Sequence, residues 1–413
     1  MKFAFLVTPH TGGTFSVFAS LRAELRPHGV DLRWMGPADR DALLADPPWA
    51  VEAMSGEAIA RHGAGLDAAS GADSGAAQAR EMAARLEAGG YDGVFVNVLS
   101  DQASTNLVRH LPSRLLRIMI VHNITPGTYA AAAAIRDHVH AVVCVCDRAC
   151  EDLRRRRGFD PARLSVIRNA VTLPDLGVEA AERSTEPGLR TLFLGRIEDA
   201  SKGVLLLPAI LDRVAGDVTL TVAGDGPDAP RLRAALSRLG ARAMMIGAAA
   251  PRDVPALLAH HDALIMPSRF EGMPMALIEA MAMGCVPVAS RIDGVTNTIV
   301  EHERNGLLFP VGSARAAASR LSALRADPAW RAELSAAARV TARSLYGGAR
   351  MGEEYRGLIL ALQKSPPPIA APLPFEEWRL PGGLRSGLRT YAPRPLKNAL
   401  RLARERMRPC LGV

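Results

Sequence analysis

Two glutamates, Glu271 and Glu279, have the spacing best suited to binding chemistry. They lie in the segment 267–280, which follows an apolar run and enters a helix predicted to begin with Pro274 at its first position. The N-terminus of such a helix offers free amides and a positive dipole end to an anion. Two carboxylates at this spacing can each accept hydroxyl protons, one set from a sugar and the other from a ribose. The alternative is an N-capping Glu271 and a solvated Glu279.

Two cations lie on another loop, which also follows an apolar run. Arg196 and Lys202 are six residues apart there and can clamp a diphosphate, the Arg through its planar fork and the Lys as a point charge. Gly195 lies in this loop, and Gly224 lies in the Gly-rich turn 222–227. Glycine and aspartate are common in such turns, so the turn alone is weak evidence. The alternative for Arg196 and Lys202 is two solvated surface cations.

The first apolar run, 2–7, is followed by the glycine pair Gly12 and Gly13. The pair lacks the GxGxxG spacing and predicts no dinucleotide fingerprint, but its backbone amides can still face a phosphate. An Asp-x-Asp pair of the kind that holds a cation occurs at Asp39 and Asp41, where a helix start is the better explanation. The sequence therefore predicts no metal site.

These loops follow strand-like runs that alternate with helical stretches along most of the 413 residues. Such alternation predicts βαβ units and parallel sheets covered on both faces. Two series predict two doubly wound domains facing each other across a cleft, with ligands at the carboxyl ends of the strands. The predicted strands are 2–7, 93–98, 117–121, 141–145 and 164–167, then 190–194, 218–223, 243–246, 263–266 and 286–289.

The net charge of +8 is concentrated at the C-terminus, where residues 378–413 contain nine basic side chains and one acidic side chain. The rest of the chain is balanced, so no nucleic-acid partner is predicted and an anionic partner is expected only at this tail. At 100° per residue, 395–408 places an apolar stripe beside a cationic one, which suits a helix on an anionic bilayer surface. The alternative is a helix packed on the body of the protein.

The cysteines and the apolar runs indicate the cell compartment. Cys144 and Cys146 lie on one face of a predicted strand, where a metal or redox pair is conceivable. Buried thiols in a reduced cytosol are the favoured interpretation, because the five cysteines include no CxxC pair. The opening run is too short for a signal sequence, and no stretch reaches the ~18–20 apolar residues of a membrane span. A cytoplasmic location is therefore expected.

Together these motifs resemble those of the family 4 glycosyltransferases, which have the GT-B fold of two facing Rossmann-like domains. Glu271 and Glu279, in an Arg-Phe-Glu-Gly-Met-Pro context, are similar to the family's E-x7-E motif. The loop from Gly195 to Gly203, the turn 222–227, and the segments 166–171 and 305–309 support the resemblance, which runs from Gly12 to about residue 362. Two departures are an Arg–Lys spacing one residue longer than the commonest form and Ala170 in place of a glycine.

The resemblance implies roles for individual residues. Glu279 would bind the ribose hydroxyls, and Glu271 with the amides of Gly272 and Met273 would hold the donor sugar. His122, after the run 117–121, would lie near that sugar; the alternative is a helix-cap or core histidine. Arg196 and Lys202 would bind the diphosphate, and the remaining donor-binding residues would be Gly12, Gly13, Gly195, Gly224, Pro274 and Met275.

The resemblance also implies a retaining, metal-independent transfer from a nucleotide-diphosphate sugar, a co-substrate, to a hydroxyl acceptor, with no cofactor. The acceptor would be a glycan, a glycolipid or a polysaccharide precursor. The basic, amphipathic tail predicts in addition a peripheral contact of residues 378–413 with the inner face of the cell membrane. The expected domains are 1–172 on the acceptor side, completed by a helix at about 345–362, then 173–344 for the donor, and 363–413 as a Pro-rich linker and basic tail. Two alternatives remain: a sugar-nucleotide epimerase of the same fold, and a non-catalytic protein that binds nucleotide sugars.

Overall fold

The computed structural model describes residues 1–7, 13–37, 56–59, 71–98, 101–171, 188–214, 216–385 and 393–407. These residues fall into two compact units. The first consists of the described residues within Met1–Ala170 and Gly348–Gly387, and the second of those within Val171–Gly347 and Leu388–Val413. In these ranges, no helix combines the length and the apolar character needed to cross a membrane.

The secondary structure follows the alternation seen in the sequence. The strands are β1 (Lys2–Leu6), β2 (Asp31–Pro37), β3 (Glu57–Ile59), β4 (Gly93–Asn97), β5 (Leu116–Val121), β6 (Ala141–Cys144), β7 (Leu164–Val166), β8 (Leu189–Leu194), β9 (Val218–Ala223), β10 (Ala243–Gly247), β11 (Ala263–Met266), β12 (Val286–Arg291) and β13 (Leu307–Pro310). The α-helices are α1 (Gly13–Leu25), α2 (Gly71–Ala88), α3 (Gln102–Leu107), α4 (Pro126–Ile135), α5 (Asp147–Arg157), α6 (Asp199–Lys202), α7 (Leu207–Leu211), α8 (Ala229–Leu236), α9 (Val254–Ala259), α10 (Met275–Ala282), α11 (Ala314–Ala326), α12 (Pro328–Leu345), α13 (Gly348–Lys364) and α14 (Arg394–Met407).

Each unit contains one parallel sheet. The strand order is β3-β2-β1-β4-β5-β6-β7 in the first unit and β10-β9-β8-β11-β12-β13 in the second. In both sheets the first strand of the series lies inside the sheet, and the chain winds outward from it in two directions. This doubly wound order is that of a Rossmann-like domain, and the predicted pair of such folds is confirmed.

Some of the strands that the sequence identifies are buried on both faces, whereas the edge strands β7 and β10, which it also identifies, are not. Every residue of β4 and of β11 is buried; β11 is apolar throughout, and β4 contains no polar side chain before its last residue, Asn97. In the second unit Phe193, Val222 and Ile265, from three neighbouring strands, share a core with Leu321 of α11. Burial of the strand faces by helices therefore explains why composition alone reveals these elements.

Three strands escape the sequence prediction. The apolar residues of β2 are interrupted by Asp31 and Arg33, and the strand ends at Pro37, whereas β3 and β13 are edge strands of three and four residues. One helix boundary also differs from the prediction. Pro274 is the N-cap of α10, with φ −77° and ψ 101°, and the helix begins one residue later, at Met275.

Residues 366–385, which the sequence predicts as part of a linker, lie against the first unit, and we call them the strap. The rings of Phe375 and Trp378 pack on His110, with centroid distances of 5.1 and 4.9 Å. His110 Nδ1 donates to the Leu373 carbonyl at 3.0 Å. Further along the chain, α14 packs against α6 within the second unit.

Candidate functional site

Three loops of the second unit meet where its strand order reverses. β8 lies between β9 and β11, so the loops that leave the carboxyl ends of these parallel strands share one edge of the sheet. They are 195–198, 224–228 and 267–274. Ligands of doubly wound sheets bind at such a switch point. The predicted cation loop and the predicted glutamate loop are therefore neighbours.

The loops approach one another so closely that only glycine fits at several positions, among them Gly224 and Gly203. A Cβ on Gly224 would overlap the carbonyl oxygen of Gly195, whose N–H donates to Ala223 O at 3.0 Å. Gly203 ends α6 with a left-handed φ of 62°, and a Cβ there would overlap the carbonyl oxygen of Pro267. A side chain at Gly224 or Gly203 would force the backbones apart. Both glycines thus set the spacing of the site.

Glu271 is the centre of the polar contacts at this edge. Lys202 Nζ and Ser268 Oγ both donate to its Oε1 atom, each at 2.7 Å. Glu271 is 7% exposed and the Lys202 side chain is 27% exposed, so the ion pair offsets the burial of both charges. Glu271 Oε2 makes no hydrogen bond to the described residues, and an ammonium group has three donors. Both side chains can therefore bind a ligand as well as each other.

A second ion pair, which the sequence analysis missed, joins the same two loops. Arg269 Nη2 donates to the two carboxylate oxygens of Asp199 at 3.1 and 3.0 Å, and its Nε donates to the Asp199 carbonyl at 3.0 Å. Arg269 N also donates to the Ser201 carbonyl at 2.7 Å. These bonds fix α6, and with it Lys202, against the loop of Glu271. Partners 70 residues apart leave no local pattern, and only the position of Arg269 beside the glutamate motif could have indicated it.

Glu279 and Arg196 lie outside this set of contacts. Glu279 is in α10 and half-buried, and burial raises its pKa above the ordinary value of 4.5. Arg196 is exposed, and its side chain makes no hydrogen bond to the residues that the structure describes. The structure therefore brings Lys202 and Glu271 together, whereas no described contact joins Arg196 or Glu279 to them.

The other predicted residues of this loop surround the start of α10. Gly272, Met273 and Pro274 are buried, and Met275, the first helical residue, is half-buried. Glu271 does not cap this helix, because the N-cap is Pro274. Its carboxylate is bonded to Lys202 and Ser268 instead, so the capping alternative for Glu271 fails.

His122 lies in the first unit, directly after β5, where Asn97 orients its ring. His122 Nε2 is 2.6 Å from Asn97 Oδ1, and Asn97 Nδ2 donates to the Leu6 carbonyl at 2.9 Å. Because the amide nitrogen bonds Leu6, the amide oxygen must accept, and His122 Nε2 carries the proton. Burial lowers the pKa of His122 to about 4, so near neutral pH the ring is uncharged and Nδ1 is an acceptor. Asn97, 1% exposed, is a positioning residue that no sequence pattern signalled.

Of the predicted glycine pair and the Asp-x-Asp pair, the structure describes only Gly13. Gly13 is the exposed first residue of α1, and Gly12 lies outside the described residues, as do Asp39 and Asp41. Across the ranges that the structure covers, there is no group of three or more His, Cys, Asp or Glu side chains arranged to hold a metal ion.

A comparison with known families assigns the second unit. Residues 188–327 match the family model described as Glycosyl transferases group 1. This region is a glycosyltransferase group 1 domain. The domain includes Arg196, Lys202, Glu271 and Glu279, whereas His122 precedes it. All four residues at the switch point therefore belong to the glycosyltransferase group 1 domain.

Curated relatives of the chain include two sugar transferases. Alpha-D-kanosaminyltransferase from Streptomyces kanamyceticus is 27% identical over 231 residues, which are 53% of this chain and 59% of the relative. The lipopolysaccharide 1,6-galactosyltransferase of Salmonella typhimurium is 30% identical over 162 residues, 38% of this chain and 45% of the relative. The chain thus spans about half the length of these relatives.

Solved structures extend the likeness from the glycosyltransferase group 1 domain to most of the chain. Anabaena Alr3699/HepE, in complex with UDP and glucose, has a TM-score of 0.71 at 17% identity and covers 88% of this chain and 100% of its own. Sucrose-phosphate synthase from Thermosynechococcus elongatus has a TM-score of 0.72 at 19% identity, with 87% of this chain and 100% of its own covered. At these identities the likeness shows the fold, and the predicted GT-B class is confirmed.

Proposed function

We propose that the chain is a retaining glycosyltransferase that moves a sugar from a nucleotide-diphosphate sugar to a hydroxyl acceptor. The observation that supports this most directly is the bond between Lys202 and Glu271 at the switch point of a glycosyltransferase group 1 domain. Where a diphosphate leaves a sugar, a cation stabilises the leaving group and a neighbouring carboxylate can hold the sugar hydroxyls. The names of the relatives, a kanosaminyltransferase and a galactosyltransferase, agree with this activity.

The polar groups at this edge match the parts of such a donor. Glu279, when ionised, would accept hydrogen bonds from two ribose hydroxyls. Glu271 Oε2 would accept a hydrogen bond from a sugar hydroxyl, and the backbone amides that follow Glu271 would donate hydrogen bonds to the sugar. Lys202 and the exposed Arg196 would bind the diphosphate. From the first unit, we propose that His122, with its neutral ring, accepts a sugar hydroxyl through Nδ1. Ribose, sugar and diphosphate would each then meet a side chain of suitable charge.

In the proposed transfer, the bond between the anomeric carbon and the diphosphate oxygen breaks, and its electron pair leaves with the diphosphate. The acceptor oxygen bonds to the anomeric carbon from the same face, and its proton passes to the leaving diphosphate. Atoms and charge balance without a protein nucleophile, and the anomeric configuration is retained. Lys202 and Arg196 stabilise the negative charge that builds on the leaving group in the transition state.

We propose that this step needs no metal ion. The reason is the basic side chains of Lys202 and Arg196, together with the start of α10, which supply positive charge where a cation would otherwise be needed. We expect full activity in EDTA. A strict requirement for Mg²⁺ or Mn²⁺ would overturn this part of the proposal without affecting the donor site.

For the acceptor we propose a glycan, a glycolipid or a polysaccharide precursor, used in the cytoplasm with peripheral contact to an anionic membrane. α14 supports the contact, because Leu396 and Leu400, one turn apart, are 51% and 63% exposed in the most basic part of the sequence. We do not include the strap in this contact, since Trp378 packs on His110. The segment proposed to meet the membrane is therefore 394–407.

The test is an assay of product formation with a panel of UDP-, GDP- and ADP-sugars and a host extract as the source of acceptor. Lys202→Ala should lower turnover by roughly two to three powers of ten. Arg252→Ala is the matched control, because Arg252 is a far more exposed cation of the same unit and lies outside the three loops. Equal activity of Lys202→Ala and Arg252→Ala would reject the proposed diphosphate site.

The same assay separates the alternative functions. An epimerase would convert the donor sugar to its epimer without any acceptor, and a non-catalytic binding protein would bind the nucleotide sugar without forming product. Nuclear magnetic resonance of the anomeric proton in the product distinguishes retention from inversion. A product of opposite anomeric configuration to the donor would contradict the same-face mechanism.

A further inference from the structure

Asp228 is a buried acid at the end of the loop 224–228. It is the N-cap residue of α8, where an aspartate ordinarily accepts a hydrogen bond from the first amides of its own helix. No amide of α8, all of whose residues the structure describes, bonds to the Asp228 side chain. Asp228 Oδ2 instead accepts from the backbone N–H of Asp199 in α6 at 2.8 Å, and Oδ1 accepts from Arg231 Nη1 at 3.1 Å. Asp228, 3% exposed, therefore gives one carboxylate oxygen to the helix of a neighbouring loop.

The acceptor that Asp228 supplies is one that α6 lacks by itself. α6 has four residues, and a helix of this length is not stable without tertiary contacts. Its N-cap residue, Glu198, makes no side-chain bond to an amide of this fully described helix. Asp228 thus satisfies the first amide of α6, and the Asp199 carboxylate is bonded in turn to Arg269. α6 is therefore held in place by partners on both neighbouring loops.

Backbone bonds tie the loop of Asp228 to the loop that leads into α6. Asp228 N donates to the Ile197 carbonyl at 3.1 Å, and Ile197 N donates to the Asp225 carbonyl at 2.8 Å. Lys202 is the last residue of α6, and its backbone N–H donates to the Glu198 carbonyl at 2.9 Å. The lysine side chain is long and flexible, so the reach of its ammonium group depends on where α6 holds its Cα. Displacement of the first residue of α6 would therefore displace Lys202 as well.

We propose that Asp228 is a positioning residue, which holds α6 so that Lys202 meets both Glu271 and the diphosphate of the donor. Asp228 acts through the backbone of Asp199 and not by contact with the donor. This role rests on the proposed function, because it requires Lys202 to bind the diphosphate. A misplacement of about 1 Å can lower a rate by about a hundredfold, so the bond that places α6 matters to the transfer as well as to the fold.

Asp262 is the matched control, because it has the same burial and the same kinds of partner. It is 3% exposed in the same unit, its Oδ2 atom accepts from Arg190 N at 2.9 Å, and both of its carboxylate oxygens accept from the Arg190 guanidinium at 3.2 Å. Asp262 directly precedes β11 and Arg190 lies at the start of β8, so this pair lies at the edge of the sheet opposite to the three loops. Asp228→Ala and Asp262→Ala each remove a buried carboxylate, and they differ in which edge of the sheet is affected.

The first measurement is calorimetric titration with the nucleoside diphosphate, among UDP, GDP and ADP, that the wild-type chain binds most tightly. Asp228→Ala should raise Kd by about tenfold, and adding it to Lys202→Ala should raise Kd no further, because Asp228 acts through Lys202. Asp228→Asn should restore most of the affinity, since its amide oxygen can still accept from Asp199 N–H. Asp262→Ala should lower the melting temperature of the protein but leave Kd unchanged.

The second measurement is amide hydrogen exchange of residues 199–206, followed by mass spectrometry at a temperature at which melting curves show every variant to be folded. Exchange there should be faster in Asp228→Ala than in wild type and unchanged in Asp262→Ala. Unchanged exchange in Asp228→Ala, a further loss of affinity in the double variant, or an equal loss in Asp262→Ala would overturn the positioning role and leave the proposed diphosphate site intact. A Lys202→Ala variant that binds the nucleoside diphosphate as tightly as wild type would reject that site, and with it the role of Asp228 in binding.

Discussion

The two glutamates of the candidate site share a side-chain type but have different surroundings. The Glu271 carboxylate accepts hydrogen bonds from Lys202 and Ser268. The Glu279 carboxyl group is shielded from solvent and has no charged partner among the described residues. Burial alone favours the neutral form of a carboxyl group, and hydroxyl donors favour the charged form. A ribose at Glu279 would therefore restore the carboxylate that burial disfavours.

This environment predicts how nucleotide affinity depends on pH. The raised pKa of Glu279 means that binding through its carboxylate should weaken as pH falls through a window above 4.5. Glu279→Gln keeps the shape of the side chain but removes its titratable carboxyl group. The ratio of variant to wild-type Kd should therefore be about tenfold at pH 7.5 and approach one at the acidic end of the pH range. Calorimetric titration with a nucleoside diphosphate at several pH values measures it. A ratio near one throughout would remove Glu279 from the site.

A second residue-scale prediction concerns Asn97, which orients His122. In Asn97→Asp a carboxylate would still accept from His122 Nε2–H, but its charge should raise the pKa of His122 from about 4 by one unit or more. The newly protonated Nδ1 could no longer accept a hydroxyl, so kcat/KM should fall more at pH 6 than at pH 8. Titration of the His122 ring by nuclear magnetic resonance checks the shift, with His122→Gln to assign the signal. An unchanged titration would show that Asn97 does not control the ring.

Single residues also show where sequence reasoning ends. Glu271 and Lys202 could be predicted because each lies in a local pattern beside an apolar run. Asn97, Asp199 and Arg269 could not, because their partners lie 25 to 91 residues away and are chosen by the packing of strands and loops. Local spacing identifies the groups that could meet a ligand, and tertiary structure selects the groups that hold them in place.

Among the elements, α6 decides the geometry of the candidate site, because it carries Lys202 and ends at Gly203. Gly203 and Gly29 both have left-handed backbones, with φ of 62° and 74°, but only Gly203 faces a carbonyl at contact distance. A Cβ on Gly29 would meet open space, so an alanine there would introduce backbone strain alone. An alanine at Gly203 would introduce the same strain together with steric overlap, and comparing the two variants separates the two effects.

Gly203→Ala should therefore be more harmful than Gly29→Ala. The Gly29 variant should lose only the left-handed preference of glycine, about 1–2 kcal/mol of unfolding free energy. The Gly203 variant should lose this and also push α6 away from Pro267, so donor affinity should fall as well. Thermal unfolding and nucleotide binding measure the two effects. If both variants bind nucleotide as well as wild type, α6 does not depend on this close approach.

The elements themselves were predictable to different degrees. Strands buried on both faces, such as β4 and β11, consist mainly of apolar residues, because helices cover both faces of a parallel sheet. Such strands can be predicted from the sequence. β3 and β13 are edge strands of three and four residues, too short for a pattern to distinguish them from a loop, even though Leu307, Leu308 and Phe309 of β13 are buried. The strap escaped prediction because its contacts are made by Phe375 and Trp378 with a distant histidine, a pairing that proline content does not indicate.

For the whole molecule, the distribution of charge is the most distinctive feature. The excess of +8 equals the excess of residues 378–413. Part of this segment belongs to the strap on the first unit, and α14 packs against α6 of the second unit. Deleting the tail would therefore disturb the protein body, and substitution of exposed side chains on α14 is the cleaner test of a membrane role.

The last prediction is that the intact chain binds anionic vesicles through α14. Each basic residue near an anionic surface contributes about 1 kcal/mol to the binding free energy, and leucines that insert into the bilayer add apolar contact. Because salt screens the charges, vesicle binding should be strong at low salt and weak at high salt. Replacing Leu396 and Leu400 with Gln should reduce co-sedimentation with phosphatidylglycerol vesicles and leave nucleotide binding unchanged. Val340→Gln is the matched control, since Val340 is 68% exposed on α12 and is remote in sequence from the basic segment. Equal vesicle binding by the leucine variant and the control, or none by the wild-type chain, would exclude the membrane contact.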